Sequence, residues 1–72
     1  MTDATAFTAR TWNQGQFIGY ADNQDDADLM ARVYAADHSV RTFVVDRHEC
    51  VSIFDPSGNR QLTSKQFAAL KP

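Results

Sequence analysis

Seventy-two residues, 43% of them hydrophobic and 22% charged, have the composition of a folded chain, and a chain this short forms one domain that buries only roughly 60% of the surface its unfolded state exposes. The lone cysteine, Cys50, excludes an internal disulfide and any paired-cysteine zinc spacing, so the fold rests on packing or on a partner. A net charge of −2 weighs against general binding to nucleic-acid phosphates.

The start, Met1 to Ala6, has no basic section followed by an apolar one and a cleavage site, so no signal peptide is expected, and residues 1–5 are expected to be disordered. No apolar run approaches bilayer-spanning length. With a single free thiol, the expected compartment is the reducing cytoplasm.

Residues 6–12 and 16–21 read as a β-hairpin. Phe7, Thr8, Thr11 and Trp12 are strand formers, as are Phe17, Ile18 and Tyr20. Asn13, Gln14 and Gly15 fit a three-residue loop whose Gly is left-handed. That loop sets Trp12 against Gln16, Arg10 against Ile18 and Thr8 against Tyr20. Alternation then places Phe7, Ala9, Thr11, Phe17, Gly19 and Ala21 on one face, with Thr8, Arg10, Trp12, Ile18 and Tyr20 on the other.

A helix is expected over residues 24–37. Asn23 caps it, and Asp25 and Asp26 occupy the first turn, where the helix dipole favours negative charge. Ala27, Leu29, Met30, Val33, Tyr34 and Ala36 make one apolar face, with Asp28, Arg32 and Ala35 opposite.

Residues 40–46 and 50–55 read as a second strand pair around a loop of Arg47, His48 and Glu49. This sets Val45 against Val51 and Phe43 against Ile53, all four on one face. Asp55, Pro56, Ser57 and Gly58 form a turn. A short helix over residues 64–70 ends the chain, opened by a capping box of Thr63 and Gln66 with Leu62 and Phe67 as its hydrophobic staple. The expected fold is a single α+β domain over 1–72 of order ββαββα, a four-stranded, mostly antiparallel sheet with the main helix on one face.

The small residues Ala9, Gly19 and Ala21 let a helix approach closely. They put it on the face of Phe7, Phe17, Phe43, Val45, Val51 and Ile53, which is then the expected core. Arg10, Trp12, Ile18 and Tyr20 are left facing outward, joined by Thr42, Val44 and Phe54. Large apolar residues exposed together mark an interaction site, and Trp, Tyr and Arg are the common anchors. The alternative is that the C-terminal helix folds over this face through Phe67 and Leu70.

Other candidate chemistry is thinner. From Phe54 to Leu70 the chain is similar to a calcium-binding EF-hand, with Asp55 and Gln66 twelve positions apart inclusive. The glycine, however, stands fourth (Gly58) where the loop requires it sixth, and Gln66 lacks the bidentate carboxylate. His48, Glu49 and Cys50, with Asp46 and His38, are the conceivable metal ligands, but adjacent strand residues point to opposite faces. Cys50 with either histidine lacks an orienting third group and an oxyanion loop. No enzyme, cofactor or metal site is therefore expected. Asp25, Asp26 and Asp28 belong to an acidic run that either caps and solvates the helix start or docks on a basic protein surface.

The expected function is a small non-catalytic protein-binding domain, an inhibitor that occludes a surface of a larger complex through Arg10, Trp12, Ile18 and Tyr20 or through Asp25, Asp26 and Asp28. Two alternatives stand beside it. One is a single-stranded nucleic acid binder that stacks bases on Trp12 and Tyr20 beside Arg10; the other is a homodimer joined through its sheet faces. An acidic, disulfide-free chain of this size, with one helix on an antiparallel sheet, resembles small phage-encoded anti-CRISPR proteins. The likeness covers the whole chain in size and element order, without a shared motif, and carries over no functional residue. It implies a protein of a phage or mobile element that acts without catalysis, by blocking a surface of a CRISPR effector complex.

Overall fold

A computed structural model describes residues 7–46 and 49–70; the disorder expected of residues 1–5 falls outside them, as do Arg47 and His48. The elements are β1 (Phe7–Thr11), β2 (Phe17–Ala21), α1 (Gln24–His38), β3 (Thr42–Asp46), β4 (Cys50–Phe54), β5 (Arg60–Gln61) and α2 (Ser64–Ala69). Every strand pair is antiparallel, in the order β2-β1-β3-β4-β5. The α+β class, the antiparallel sheet and the main helix are as expected. The described residues hold five strands rather than four, in the order ββαβββα. The added strand, β5, sets Arg60 against Phe54 and Gln61 against Ile53; two residues carry no periodicity to read.

Local chemistry fixes the helix ends. Asn23 Oδ1 accepts from the Asp26 N–H at 2.9 Å, and Asn23 Nδ2 donates to Asp26 Oδ2 at 3.2 Å. At the other end Ser39 is left-handed (φ 54°), and the N–H groups of Ser39 and Val40 both reach the Ala35 carbonyl. In α2, Thr63 Oγ1 accepts from the Gln66 N–H at 3.2 Å while Gln66 Oε1 accepts from the Thr63 N–H at 3.0 Å. Both halves of the capping box are present.

The phase of α1 differs from expectation. Ala27, Ala31 and Ala35, four residues apart, are fully buried on the sheet, whereas Leu29 and Val33 are 51% and 50% exposed. An alanine stripe lets the helix backbone lie close to the strands: Thr42 Oγ1 donates to the Ala31 carbonyl at 2.8 Å, and Gln24 Nε2 to Ser52 Oγ at 3.2 Å. Those bonds satisfy the Thr42 and Ser52 hydroxyls where they are buried.

The face under α1 is accordingly the small one. Ala9, Val44 and Ser52 line up across β1, β3 and β4, followed by Thr42 and Phe54. Gly19 lies against Met30, whose side chain fills the place a Cβ would take. Gly58 (φ +88°) brings the turn after β4 against Ala36 and Arg32, a backbone conformation that favours glycine. The expected core of Phe7, Phe17, Phe43, Val45, Val51 and Ile53 is therefore corrected. The core is Ala9, Ala21, Ala27, Ala31, Ala35, Val44 and Phe54, with Phe7, Ile18, Met30 and Val51 packed against it.

Both hairpins depart from the expected turn by one residue, and both recover the expected pairing through a bulge. Thr11 and Gln16 close the first, with the Thr11 N–H on the Gln16 carbonyl at 2.9 Å, so the loop holds four residues, Trp12 to Gly15. Arg10 then meets Phe17 instead of Ile18, and a bulge at Ile18 restores Ala9 opposite Gly19 and Thr8 opposite Tyr20. In the second hairpin the Asp46 N–H donates to the Glu49 carbonyl at 3.0 Å. Val45 meets Cys50 instead of Val51, and a bulge at Val51 restores Phe43 opposite Ile53.

Candidate functional site

With α1 on one side of the sheet, the larger side chains collect on the other. Arg10 stands opposite Phe43, and Phe43 opposite Ile53, in one row across β1, β3 and β4. Because Thr42 and Val44 are turned to α1, Phe43 and Val45 face away from it. The four-residue turn brings Trp12 onto Phe43 edge-to-face, with ring centroids 5.4 Å apart and planes at 85°. Phe17 and Tyr20 sit side by side on β2 at 4.6 Å.

Arg10 ties the row together. Its guanidinium donates to the Gly15 carbonyl at 2.7 Å and lies 5.9 Å from the Phe17 ring centroid. The Phe17 ring thus lies beside a cation whose position the turn fixes. Trp12, Phe17 and Tyr20 are 43%, 44% and 60% exposed, which leaves this end of the face open. Helix α2 is held at the other end, where Gln66 Nε2 donates to the Val51 carbonyl at 3.4 Å and Lys65 pairs with Glu49 at 3.4 Å. None of its residues is buried.

Among the residues expected on this face, the structure keeps Arg10, Trp12 and Tyr20 together. It removes Ile18, which the bulge turns toward α1, and Thr42, Val44 and Phe54, which are buried beneath it. It adds Phe17, Phe43, Val45 and Ile53. The pattern Thr42-x-Val44 with Ser52, small like Ala9 and Gly19, was the available signal that these residues share the helix side.

The acidic run divides. Asp28 turns to the β5 side, with Oδ2 3.4 Å from Arg60 Nη1 and its Oδ1 buried without a hydrogen-bond partner. Asp25 lines a hollow on that same side with Arg32 and Asn59. Asp26 lies toward β2, with Asp22, on a second concavity of about 680 Å³ between β2 and α1. Ile18, Leu29, Met30 and Val33 form its apolar part.

The remaining polar candidates stay apart. His38 Nδ1 is 3.2 Å from the Tyr34 carbonyl, with its ring stacked on Tyr34 at 3.9 Å. It belongs to the Val40 end of β3, whereas Cys50 pairs with Val45 near the other end. The Cys50 thiol donates to the Ser52 carbonyl at 3.4 Å. Burial pushes it above its ordinary value, helped by Glu49 and opposed by the Ser52 bond. Asp55 Oδ1 accepts the N–H groups of Ser57 and Asn59, both at 2.9 Å, so its carboxylate organises its own turn. His48 is outside the described residues, among which no three His, Cys, Asp or Glu side chains group as a metal site. No helix among them is long and apolar enough to cross a membrane. No family model, curated protein or solved structure matches the chain.

Proposed function

We propose that this chain is a small non-catalytic protein-binding domain that presents the open sheet face to a partner protein and acts by covering part of that partner's surface. The observation that carries the reading is the sorting of side chains: small residues lie under the helix, while the exposed rings of Trp12, Phe17 and Tyr20 share the other side with the half-buried Arg10. Aromatic residues and arginine dominate binding energy at protein interfaces, and rings already held by neighbours lose little freedom on docking. A net charge of −2 favours a protein partner over nucleic acid, even though the rings offer stacking surfaces. Occlusion of a nucleic-acid-handling complex, as in the anti-CRISPR proteins this chain resembles, is the form of the reading that fits its size and charge.

The test is affinity capture with the tagged domain, followed by calorimetric titration of the partner recovered. Trp12→Ala is expected to weaken binding by about 1–4 kcal/mol. It is expected to cost the isolated domain less stability than Phe54→Ala, which empties a core site and costs about 3–5 kcal/mol. Unchanged affinity in both Trp12→Ala and Tyr20→Ala would rule out this face.

A further inference from the structure

The two edges of the sheet are not alike. Strand β5 is two residues long, exposed, and carries Arg60, the features that keep an edge from pairing with other chains. Strand β2 is five residues long, Phe17-Ile18-Gly19-Tyr20-Ala21, with no charge and no proline. Its one irregularity is the bulge at Ile18.

Beside that edge α1 leaves apolar surface uncovered. The alanine stripe seats the helix so close to the sheet that the larger residues next to it overhang. Leu29 and Val33, one turn apart and about half exposed, stand with Met30 and Ile18 around the groove of about 680 Å³. Its charged lining is acidic. Asp22 and Asp26 lie at the end where α1 begins, and Asp37 with His38 at the end where it finishes; among the described residues no Lys or Arg lines it.

We infer that the β2 edge and this groove are a docking site for an extended basic segment of a partner protein, which adds to the sheet as a further strand. The main-chain groups of β2 supply hydrogen bonds, and the groove takes alternate side chains of the incoming strand. Those side chains are apolar at the centre, against Leu29 and Val33, and Lys or Arg at the ends, against Asp22, Asp26 and Asp37. The intervening side chains lie along Phe17 and Tyr20.

Charge selects this occupant over a second copy of the chain. Since α1 runs antiparallel to β2, pairing two β2 edges about a twofold axis sets the Asp22 and Asp26 end of one groove beside the Asp37 end of the other. That arrangement gathers carboxylates with no Lys or Arg of the groove lining between them. The site borders the open face at Phe17 and Tyr20, but Trp12 is not among the residues that line its groove.

A synthetic nonapeptide, Arg-Thr-Val-Thr-Val-Thr-Val-Thr-Arg, tests the inference, with a Glu-ended version and a version with central proline as controls. Titration into the ¹⁵N-labelled domain is expected to shift the amides of Gly19, Tyr20 and Ala21 and to slow their hydrogen exchange. The Glu-ended and proline peptides are expected to bind at least about tenfold more weakly. Val33→Asp, or Leu29→Ala should the first variant unfold, is expected to weaken binding about tenfold or more. Trp12→Ala, by contrast, leaves it unchanged, so loss of the open-face reading and loss of this one are told apart. The inference is overturned by absence of binding at about 1 mM peptide, by equal binding of the Glu-ended peptide, or by a peptide-free dimer in light scattering whose β2 amides are already protected.

Discussion

Thr63 holds the start of α2 through two reciprocal bonds, and at 5% exposure its hydroxyl has little water to fall back on. Thr63→Ala is expected to cost about 1 kcal/mol, read as a lower urea midpoint with an unchanged slope. A midpoint that does not move would mean the helix start is held by something else. Cys50 gives the domain a pH dependence of known sign. Burial holds the folded thiol above its ordinary value of 9.0, so the folded chain keeps a proton that the unfolded chain gives up. This contribution is complete below pH 9 and is lost as pH rises from there through the folded value. The drop in melting temperature between about pH 8 and about pH 10 is therefore expected to be smaller in Cys50→Ala than in the parent. An equal drop in both would assign the alkaline loss to other groups.

At the scale of elements, the alanine stripe of α1 makes a prediction that separates its two sides. Ala31→Leu forces a branched side chain between helix and β3, where the Ala31 carbonyl already accepts from Thr42, and is expected to cost about 1–3 kcal/mol or more. Leu29→Ala, on the exposed side, is expected to change stability by less than about 0.5 kcal/mol. Thermal denaturation of the two variants measures both; the reverse order would restore the phase read from Leu29, Met30 and Val33. That phase shows where the sequence was legible. Caps, turns and strand positions depend on residues within a few places of one another, so Asn23, Gly15, Thr63 and the four longer strands were readable. The side of each hairpin that meets α1 depends on how β1 pairs with β3. Arg10 opposite Phe43 is a contact made across the whole of α1 and specified by no turn. The candidate face was therefore half readable. Arg10, Trp12 and Tyr20 belong to the first hairpin, where Ala9 and Gly19 pointed correctly to the helix. Phe43 and Ile53 belong to the second, where bulk suggested a core. Ile18 was lost to a bulge, and β5 to its length.

At the scale of the molecule the usual distribution of bulk is reversed, since among the described residues five of the seven buried apolar ones are alanines while Trp12, Phe17, Tyr20, Leu29 and Val33 stay near half exposure or above. A core of this kind keeps little of the chain's apolar surface from water in the folded state. Unfolding then adds little new hydration, and calorimetry is expected to give a heat capacity change below the about 12–15 cal/mol/K per residue of ordinary domains. A value inside that range would mean the exposed rings are covered in solution. Where the increment is small, enthalpy and entropy of unfolding change slowly with temperature, so the free domain has a flat, shallow stability curve. A partner that covers the rings adds the missing negative heat capacity on association. The close seat that Ala27, Ala31 and Ala35 give the helix thus moves much of the temperature dependence of this protein out of its folding and into its binding.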